Sequence, residues 1–418
     1  MLDVQQARRD TPGCFERVFL DSAGSSLPPA PVVDTVVAHL RREAEIGGYA
    51  AANERLDDLA GVKTSLGRLF GVDASSVALS DSASRAWTSF FYAVPLEPGD
   101  RILLSQAEYA ANAVAALQRA RATGARVEVV PSDDTGRIDI EALHDLLDER
   151  VKLVSVVHAP TNGGLVNPVR EVSDAAHAVG ALVLLDACQS VGQLPVSVPE
   201  LDVDALSGTG RKWLRGPRGT GFLHVRPRLI ADLEPAAIDL HSATWTSPDT
   251  YELAPDASRF EMWEADVAAR LGLGAAVDYL LDLGVDAVVE AIAYRAEHTR
   301  DGLGRIPGVT VHDRGAPLDG HDRGAPLDGH DRGAPLDGHD RGAPLSGIVS
   351  FTVDGMEPTA VRDALAAQSI TVTVSSRSST LLDMSQRKLE AVVRASPHYF
   401  VSPADVDRFL VAVRTLAQ

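Results

Sequence analysis

The sequence predicts an α/β protein with a mostly parallel central sheet that is covered by helices. Three observations lead to this prediction. Between about residues 20 and 225, short apolar runs alternate with amphipathic stretches. The runs are apolar throughout, which is typical of strands that are buried on both faces. The chain has 418 residues, 45% of them hydrophobic, so it can bury a large core, most simply as two domains.

The predicted elements of the first domain follow in order along the chain. Residues 32–46 and 114–125 space their apolar residues as amphipathic helices do. Four apolar runs predict strands, and residues 171–180, between the last two runs, predict a crossover helix of the kind that joins parallel strands. The runs are RILLS at 101–105, RVEVVP at 126–131, KLVSVVH at 152–158 and ALVLLD at 181–186.

After about residue 258 the pattern changes to a long helical stretch, followed by mixed strands and helices. This change predicts a second, smaller α+β domain. We expect a large domain at 20–270 and a small domain at 271–418, with residues 1–19 packing on the small domain. The segments behind this prediction are a helix at 265–284, strands at 347–353, 370–375 and 391–396, and helices at 358–368 and 402–417.

Residues 312–347 interrupt the small domain with four consecutive copies of the nonapeptide HDRGAPLDG, the last ending in Ser346 and Gly347. Nine residues are too few for a solenoid unit, and Pro, Gly and Asp at turn spacing build no core. We therefore interpret the segment as an expanded surface loop. The alternative is a weak metal site formed by its histidines and aspartates. Turn-rich loops rarely fix such geometry, and we expect no metal.

The composition limits the partners. A net charge of −19 and a pI near 5.0 argue against nucleic acid or an anionic membrane surface. No apolar run approaches the ~18 residues of a membrane span, and the first ten residues carry charges where a secretory signal is apolar. Cys14 and Cys188 are far apart and have no metal-ligand spacing. We expect a soluble, cytoplasmic protein in a reducing compartment.

Lys212 is the most informative single residue. It stands among small and hydroxyl residues, downstream of Asp186, which ends the apolar run at 181–186. Such a pair can hold a pyridoxal phosphate ring, because the amine forms an imine and the carboxylate keeps the ring nitrogen protonated. Asp186 alone could equally cap a turn. A nucleotide-binding P-loop is excluded, because Lys212 lies between Arg211 and Trp213 rather than in G-x-x-x-x-G-K-[ST].

Other polar residues follow predicted strands. The segment 80–85, SDSASR, offers hydroxyls and backbone N–H groups at a helix start, which suits an anion but is also a common helix cap. Tyr109 could stack on a ring or lie in the core. Thr161 leaves a strand at the carboxyl edge of the sheet, where ligands bind. Arg394, between apolar residues, could bind a substrate carboxylate or form an internal salt bridge.

Together these residues resemble the class V aminotransferases, which are fold type I pyridoxal phosphate enzymes. The resemblance runs from about Leu20 to Phe409 and is carried by Asp186-x-x-Gln189, by Arg211-Lys212 and by Arg394 in VVRAS. It implies pyridoxal 5'-phosphate as the cofactor, a large domain with a mostly parallel sheet of seven-stranded type, and a smaller α+β C-terminal domain.

The resemblance also implies a role for each matching residue. Lys212 would be the Schiff-base lysine, with Asp186 on the ring nitrogen and Gln189 near the ring hydroxyl. Tyr109 would stack on the ring and join the catalytic set, and Thr161 would face the ring oxygen. Ser25 and Arg394 are assigned to the substrate, Arg394 to its α-carboxylate. The residues expected near phosphate are Ser82, Ala83, Ser84, Thr209 and Arg211.

Within the family, residues 42–50 and 211–219 look most like the C–S lyases of the ergothioneine pathway and isopenicillin N epimerase-like enzymes. Cysteine desulfurases carry a nucleophilic Cys in the mobile loop ahead of the carboxylate arginine. The matching stretch here, 373–394, contains none. We therefore do not expect a persulfide-forming desulfurase.

The expected activity is β-elimination from an S-substituted cysteine or its sulfoxide, that is, a C–S lyase. Alternatives are an amino-acid epimerase, an aminotransferase, and a non-catalytic scaffold that retains the fold. The sequence does not select among these reactions, because the outcome depends on which Cα bond of the substrate stands perpendicular to the cofactor ring. The resemblance implies a homodimer, with residues 241–264 as the candidate substrate-lining and cross-subunit region. Arg259, within that region, is either a second anion contact or part of a surface ion pair.

Overall fold

The computed structural model describes residues 2–313 and 345–418 of the chain. Most of the repeat segment lies outside this part. Only its beginning, His312 and Asp313, and its end, Leu345 to Gly347, are described, so its interpretation as a surface loop stays a prediction. None of the helices in the described ranges is both long and apolar enough to cross a membrane.

A seven-stranded sheet forms the centre of the large domain. Its order is β2-β8-β7-β6-β5-β3-β4, and β8 is antiparallel to both of its neighbours while the other pairs are parallel. The predicted mostly parallel sheet is therefore confirmed. The strands of this sheet are β2 Val77–Ser80, β3 Arg101–Ser105, β4 Arg126–Val130, β5 Val151–Val157, β6 Leu182–Asp186, β7 Ala205–Thr209 and β8 Gly221–Val225.

Helices cover the sheet, and the predicted helices at 32–46, 114–125 and 171–180 correspond to α4, α8 and α10. Every residue of β3, β7 and β8 is buried, as the continuous apolar runs require. The helices up to the end of the large domain are α1 Val4–Arg9, α2 Gly13–Glu16, α3 Ser22–Ser25, α4 Ala30–Ile46, α5 Gly48–Asn53, α6 Leu56–Phe70, α7 Ala83–Ala93, α8 Ala110–Thr123, α9 Ile140–Leu146, α10 Val169–Ala178, α11 Val198–Leu201, α12 Pro227–Ile230 and α13 Val267–Leu283.

A four-stranded antiparallel sheet, ordered β11-β12-β15-β14, forms the small domain with its helices. This confirms the α+β character predicted for the C-terminal part. The remaining strands are β1 Val18–Phe19, β9 Ala243–Ser247, β10 Thr250–Leu253, β11 Val309–His312, β12 Val349–Val353, β13 Ile370–Thr371, β14 Thr373–Ser376 and β15 Ala391–Ala395, and the remaining helices are α14 Val285–Gly304, α15 Pro358–Ala366, α16 Leu381–Gln386 and α17 Pro403–Leu416.

The limits between the domains differ in one respect from those expected. Helix α13 packs against α4 and α6 of the large domain, so a boundary at residue 270 would cut through it. We propose Gly284, between α13 and α14, as the boundary. The N-terminal segment contacts the small domain, because β1 pairs with β13 and Arg8 forms a 2.8 Å salt bridge with Asp405.

Candidate active site

All ten residues that the sequence assigned to the cofactor line one cavity of about 240 Å³. The cavity lies at the carboxyl edge of the large sheet, where β5, β6 and β7 end. Because these parallel strands point the same way, residues at or just beyond their ends meet at one edge. The cavity is lined by Asp81, Ser82, Ala83, Ser84, Tyr109, Val157, Ala159, Thr161, Asp186, Cys188, Gln189, Thr209, Arg211, Lys212, Arg218, Gly219 and Thr220.

Asp186 is the last residue of β6, and its side chain is buried. Its carboxylate accepts hydrogen bonds of 2.9 Å from Asn112 Nδ2 and from the backbone N–H of Cys188. Within residues 2–313 and 345–418, no Lys, Arg or His forms a salt bridge with it. A buried carboxylate without a cation is costly. The cavity that it faces is therefore suited to a cationic group.

Behind Asp186 lies a second buried carboxyl group, Glu108, which the sequence analysis missed. Asn112 donates to both carboxylates, at 2.9 Å to Glu108 Oε1, and Ser155 donates to Glu108 Oε2 at 2.8 Å. Burial raises the pKa of Glu108 to about 7, and the neighbouring charge of Asp186 acts in the same direction. Glu108 lies two residues before the first residue of α8 and Asn112 lies in its first turn, so the contact depends on how the chain enters the helix.

The raised pKa of Glu108 predicts a pH-dependent stability. The folded state binds the Glu108 proton more tightly than the unfolded state does. The stabilisation of the folded state by this proton is therefore complete below pH 4.5 and is lost as the pH rises through about 7. Glu108→Gln does not ionise. We expect its free energy of unfolding, relative to the parent, to rise by about 3 kcal/mol between pH 4.5 and pH 7.5, as measured by urea unfolding at a series of pH values.

The matched control for this prediction is Glu149→Gln, because Glu149 is exposed. Its stability difference from the parent should vary little over the same pH range. If the stability difference between Glu108→Gln and the parent were also independent of pH, Glu108 would titrate as an ordinary solvated carboxyl group.

Lys212 projects from the segment that follows β7. Burial lowers the pKa of its amine, and the positive charges of Arg211 and Arg394 add to this effect. No side chain or carbonyl group in the described ranges forms a hydrogen bond with its Nζ atom. An amine with a lowered pKa and no partner is available to attack a carbonyl group.

A hydrogen-bond network joins Gln189, Thr161 and Arg394. Gln189 Nε2 donates to Thr161 Oγ1 at 3.1 Å, and Arg394 Nη1 donates to the same oxygen at 3.0 Å. Trp213 Nε1 in turn donates to Gln189 Oε1 at 2.9 Å, which orients the amide. Because Thr161 Oγ1 accepts twice, its own hydrogen is free to point at an acceptor in the cavity. This arrangement suits a ring oxygen, the role assigned to Thr161 from the sequence.

The other end of the cavity is suited to an anion. Ser82 caps helix α7 and accepts from the backbone N–H of Arg85 at 3.2 Å, so the positive end of the helix dipole faces the cavity. Strand β8 closes this end. A Cβ atom on Gly221 would lie 2.5 Å from the carbonyl carbon of Ser82, so glycine is required for the approach.

Three further predictions concern the residues around the cavity. Arg211 and Thr209 line it as expected, although Arg211 donates to Gly24 O and Thr209 donates to Thr220 O at 3.2 Å. Ser25, the last residue of α3, does not line the cavity, and its assignment to the substrate stays a prediction.

Of the two interpretations of Arg259, the surface ion pair is wrong, whereas the anion contact stays a prediction. Its side chain is buried, and its guanidinium donates to the carbonyl groups of Ile230, Leu233 and Ala254. It therefore ties the ordered segment around 254–260 to the end of α12. No Asp or Glu in the described ranges forms a salt bridge with it.

Each part of pyridoxal phosphate has a suitable partner among the residues that line the cavity. Asp186 would hold the ring nitrogen, Thr161 the ring oxygen, and the N-terminus of α7 the phosphate. Lys212 would hold the aldehyde carbon. The buried Asp186 without a cation is the strongest sign, because a protonated pyridine ring supplies the missing charge. Within the described ranges, no group of three or more His, Cys, Asp and Glu side chains is placed to hold a metal ion.

Comparison with known proteins agrees with this geometry. The model of the aminotransferase class-V family matches residues 18–319. The chain belongs to this family. The probable cysteine desulfurase of Halobacterium salinarum is 31% identical over 352 residues, which cover 75% of this chain and 80% of the relative. The cysteine desulfurase of Haloferax volcanii is 29% identical over 416 residues, covering 95% of this chain and 88% of the relative.

Solved structures confirm the fold of this family member. The apo cysteine desulfurase of Thermococcus onnurineus NA1 superposes with a TM-score of 0.84 at 24% identity, covering 100% of this chain and 98% of that one. The cystine C–S lyase C-DES, in complex with cysteine persulfide, gives a TM-score of 0.81 at 23% identity, covering 97% and 99%. The predicted fold and family are therefore confirmed. The narrower likeness to ergothioneine-pathway lyases stays a prediction.

Proposed function

We propose that this class V aminotransferase family member is a pyridoxal phosphate-dependent C–S lyase that acts on an S-substituted cysteine or its sulfoxide. The observation that carries the proposal is the pair formed by Lys212 and Asp186, which face one cavity while Asp186 has no cationic partner among the described residues. Pyridoxal phosphate, when bound, supplies an aldehyde that links to amines and a ring that accepts electrons from Cα.

The chain's own residues supply binding and proton transfer. Asp186 would keep the ring nitrogen charged, and Asn112 and the N–H of Cys188 hold its carboxylate in place. Lys212 would move the Cα proton of the substrate, and such positioned bases contribute about 10²–10⁴-fold. Tyr109 lines the cavity at the start of α8, where it would pack on the ring.

Arg394 is the proposed partner of the substrate α-carboxylate. It lies behind Thr161, and its buried Nε atom has no hydrogen-bond partner among the residues that the structure describes. An orphaned buried donor is costly, and a carboxylate bound across the guanidinium would satisfy it.

A persulfide-forming reaction is not favoured, although the relatives described above are named cysteine desulfurases. The stretch before Arg394 contains no cysteine, and Cys14 is buried in α2. Cys188 lines the cavity, but burial raises the pKa of its thiol well above the ordinary value, and the adjacent Asp186 charge adds to this effect. A protonated thiol is a poor sulfur acceptor.

We also propose a cytoplasmic homodimer in which residues 241–264 contribute to the neighbouring site. The hairpin of β9 and β10 and the residues after it expose large aromatic side chains, among them Trp245, which is 78% exposed, Tyr251 and Trp263. Exposed aromatic clusters are typical of interfaces.

The reaction is tested with S-methylcysteine and its sulfoxide in the absence of any keto acid. We expect stoichiometric pyruvate and ammonia, because elimination leaves an aminoacrylate that hydrolyses. Pyruvate is measured with lactate dehydrogenase. Turnover that strictly requires a keto acid would instead identify an aminotransferase, and loss of chirality without pyruvate would identify an epimerase. A colourless protein with no cofactor trapped by borohydride would refute catalysis altogether.

A further inference from the structure

The guanidinium of Arg394 is only partly satisfied in the structure. Its Nη1 donates to the carbonyl and hydroxyl oxygens of Thr161, both at 3.0 Å. Its Nη2 reaches Asp21 Oδ1 at 3.3 Å, and no group in residues 2–313 and 345–418 accepts a hydrogen bond from Nε. Charge-assisted N–H···O bonds are usually about 2.7–2.9 Å long. The Nε and Nη2 edge of the guanidinium therefore has only one weak contact, which is with the carboxylate of Asp21.

Asp21 is held firmly by its backbone. It forms a bridge with Ser396, one residue past β15, and Ser396 Oγ accepts from the backbone N–H of Ala23 at 3.0 Å. Gly24 lies directly under the Asp21 side chain, where a Cβ atom would be 2.5 Å from both carboxylate oxygens. The carboxylate therefore has a defined place beside Arg394, and the side chain of Asp21 is still 22% exposed, so solvent can protonate it.

We infer that Asp21 is a displaceable internal ligand of Arg394: the substrate α-carboxylate replaces it on the Nε and Nη2 edge, and Asp21 takes up a proton from solvent. This inference rests on the proposed function, in which Arg394 binds that carboxylate. Two carboxylates cannot share one guanidinium edge as anions at low cost. Asp21 thereby makes the affinity for carboxylate substrates depend on pH.

The electrostatic surroundings agree with this role. The charged groups that face Asp21 are Arg394 from β15 and Arg211 from the segment after β7. Burial outweighs both and raises the pKa of Asp21 above its ordinary value even before a ligand arrives. A second anion on Arg394 would raise it further. The positive charge of Arg394 also contributes to the lowered pKa of Lys212.

The test compares the parent holoenzyme with Asp21→Asn, which keeps the shape and removes the charge. Glycine binding is followed by the absorbance of the cofactor between pH 6 and pH 9. Glycine must lose its amine proton to link to the cofactor in both proteins, so the two affinities are compared as a ratio at each pH. Because ionised Asp21 competes for Arg394 only in the parent, we expect the affinity of Asp21→Asn divided by that of the parent to rise with pH and to reach about tenfold at pH 8. Methylamine, which lacks the carboxylate, should not distinguish the two proteins.

Calorimetry in two buffers of different protonation enthalpy counts the protons taken up with glycine. The parent should take up more protons than Asp21→Asn near neutral pH, by up to one per bound ligand, while Asp57→Asn, at an exposed position, should behave as the parent. If Asp21→Asn bound glycine more weakly with an unchanged proton count, Asp21 would merely hold Arg394 in place and the inference would be wrong.

The failure of the proposed function would look different. A purified protein without cofactor absorbance would refute that function. Acetate, titrated by calorimetry into the same protein, needs no cofactor and would still decide whether a bound carboxylate drives proton uptake by Asp21.

Discussion

Lys212→Ala is expected to lower turnover at least ~10³-fold, because one amine both attaches the cofactor and moves the Cα proton. The lowered pKa of Lys212 makes a larger fraction of the amine neutral near pH 7, which is the form that attacks a carbonyl group. Turnover is measured as pyruvate release. Borohydride reduction of the parent, followed by peptide mass analysis, should place the trapped cofactor on Lys212.

Lys152→Ala serves as the matched control. The side chain of Lys152 is 42% exposed, contacts the carbonyl group of Glu149 and lies 3.7 Å from Asp100. It stands at the start of β5, at the opposite end of this strand from the cavity. Its replacement should leave turnover and the site of trapping unchanged. Undiminished pyruvate release by Lys212→Ala, in a variant with a parent-like circular dichroism spectrum, would overturn the assignment of the whole site.

Asp186→Asn is expected to reduce kcat/KM by about 10²–10³-fold. Breaking a buried charge pair costs about 3–5 kcal/mol, and here the lost partner keeps the ring nitrogen protonated. The amide also cannot accept both hydrogen bonds that Asp186 receives from Asn112 and from the N–H of Cys188. The measurement is steady-state kinetics together with the dissociation constant of pyridoxal phosphate, which we expect to rise.

Asn112→Ala separates the charge of Asp186 from its orientation. It removes one donor to the carboxylate but leaves the charge, so we expect a smaller loss of about tenfold, in line with one hydrogen bond to a charged group. An equal loss in both variants would mean that orientation, and not charge, is the contribution of Asp186.

The alternation of elements predicted the sheet because strands that are buried on both faces consist almost entirely of apolar residues. The run that ends at Asp186 is an example. The sequence also indicated Lys212 and Arg394 as candidate site residues, because a charged side chain between small or apolar residues is unusual without a binding partner. We propose a boundary at Gly284 instead of residue 270, because the apolar pattern of α13 does not indicate which domain this helix packs against. The ion pair expected for Arg259 was wrong for a related reason: its partners are backbone carbonyl groups, which every residue carries.

The sequence by itself determined the fold class, the family and the residues that suit pyridoxal phosphate, because these follow from residue type and position relative to strand ends. Only the tertiary structure decided which groups support them. Asn112 meets Asp186 across 74 residues of chain, and Asp21 meets Arg394 across 373. Such contacts depend on how elements that are distant along the chain pack together, and the residue pattern of either segment alone does not indicate this packing.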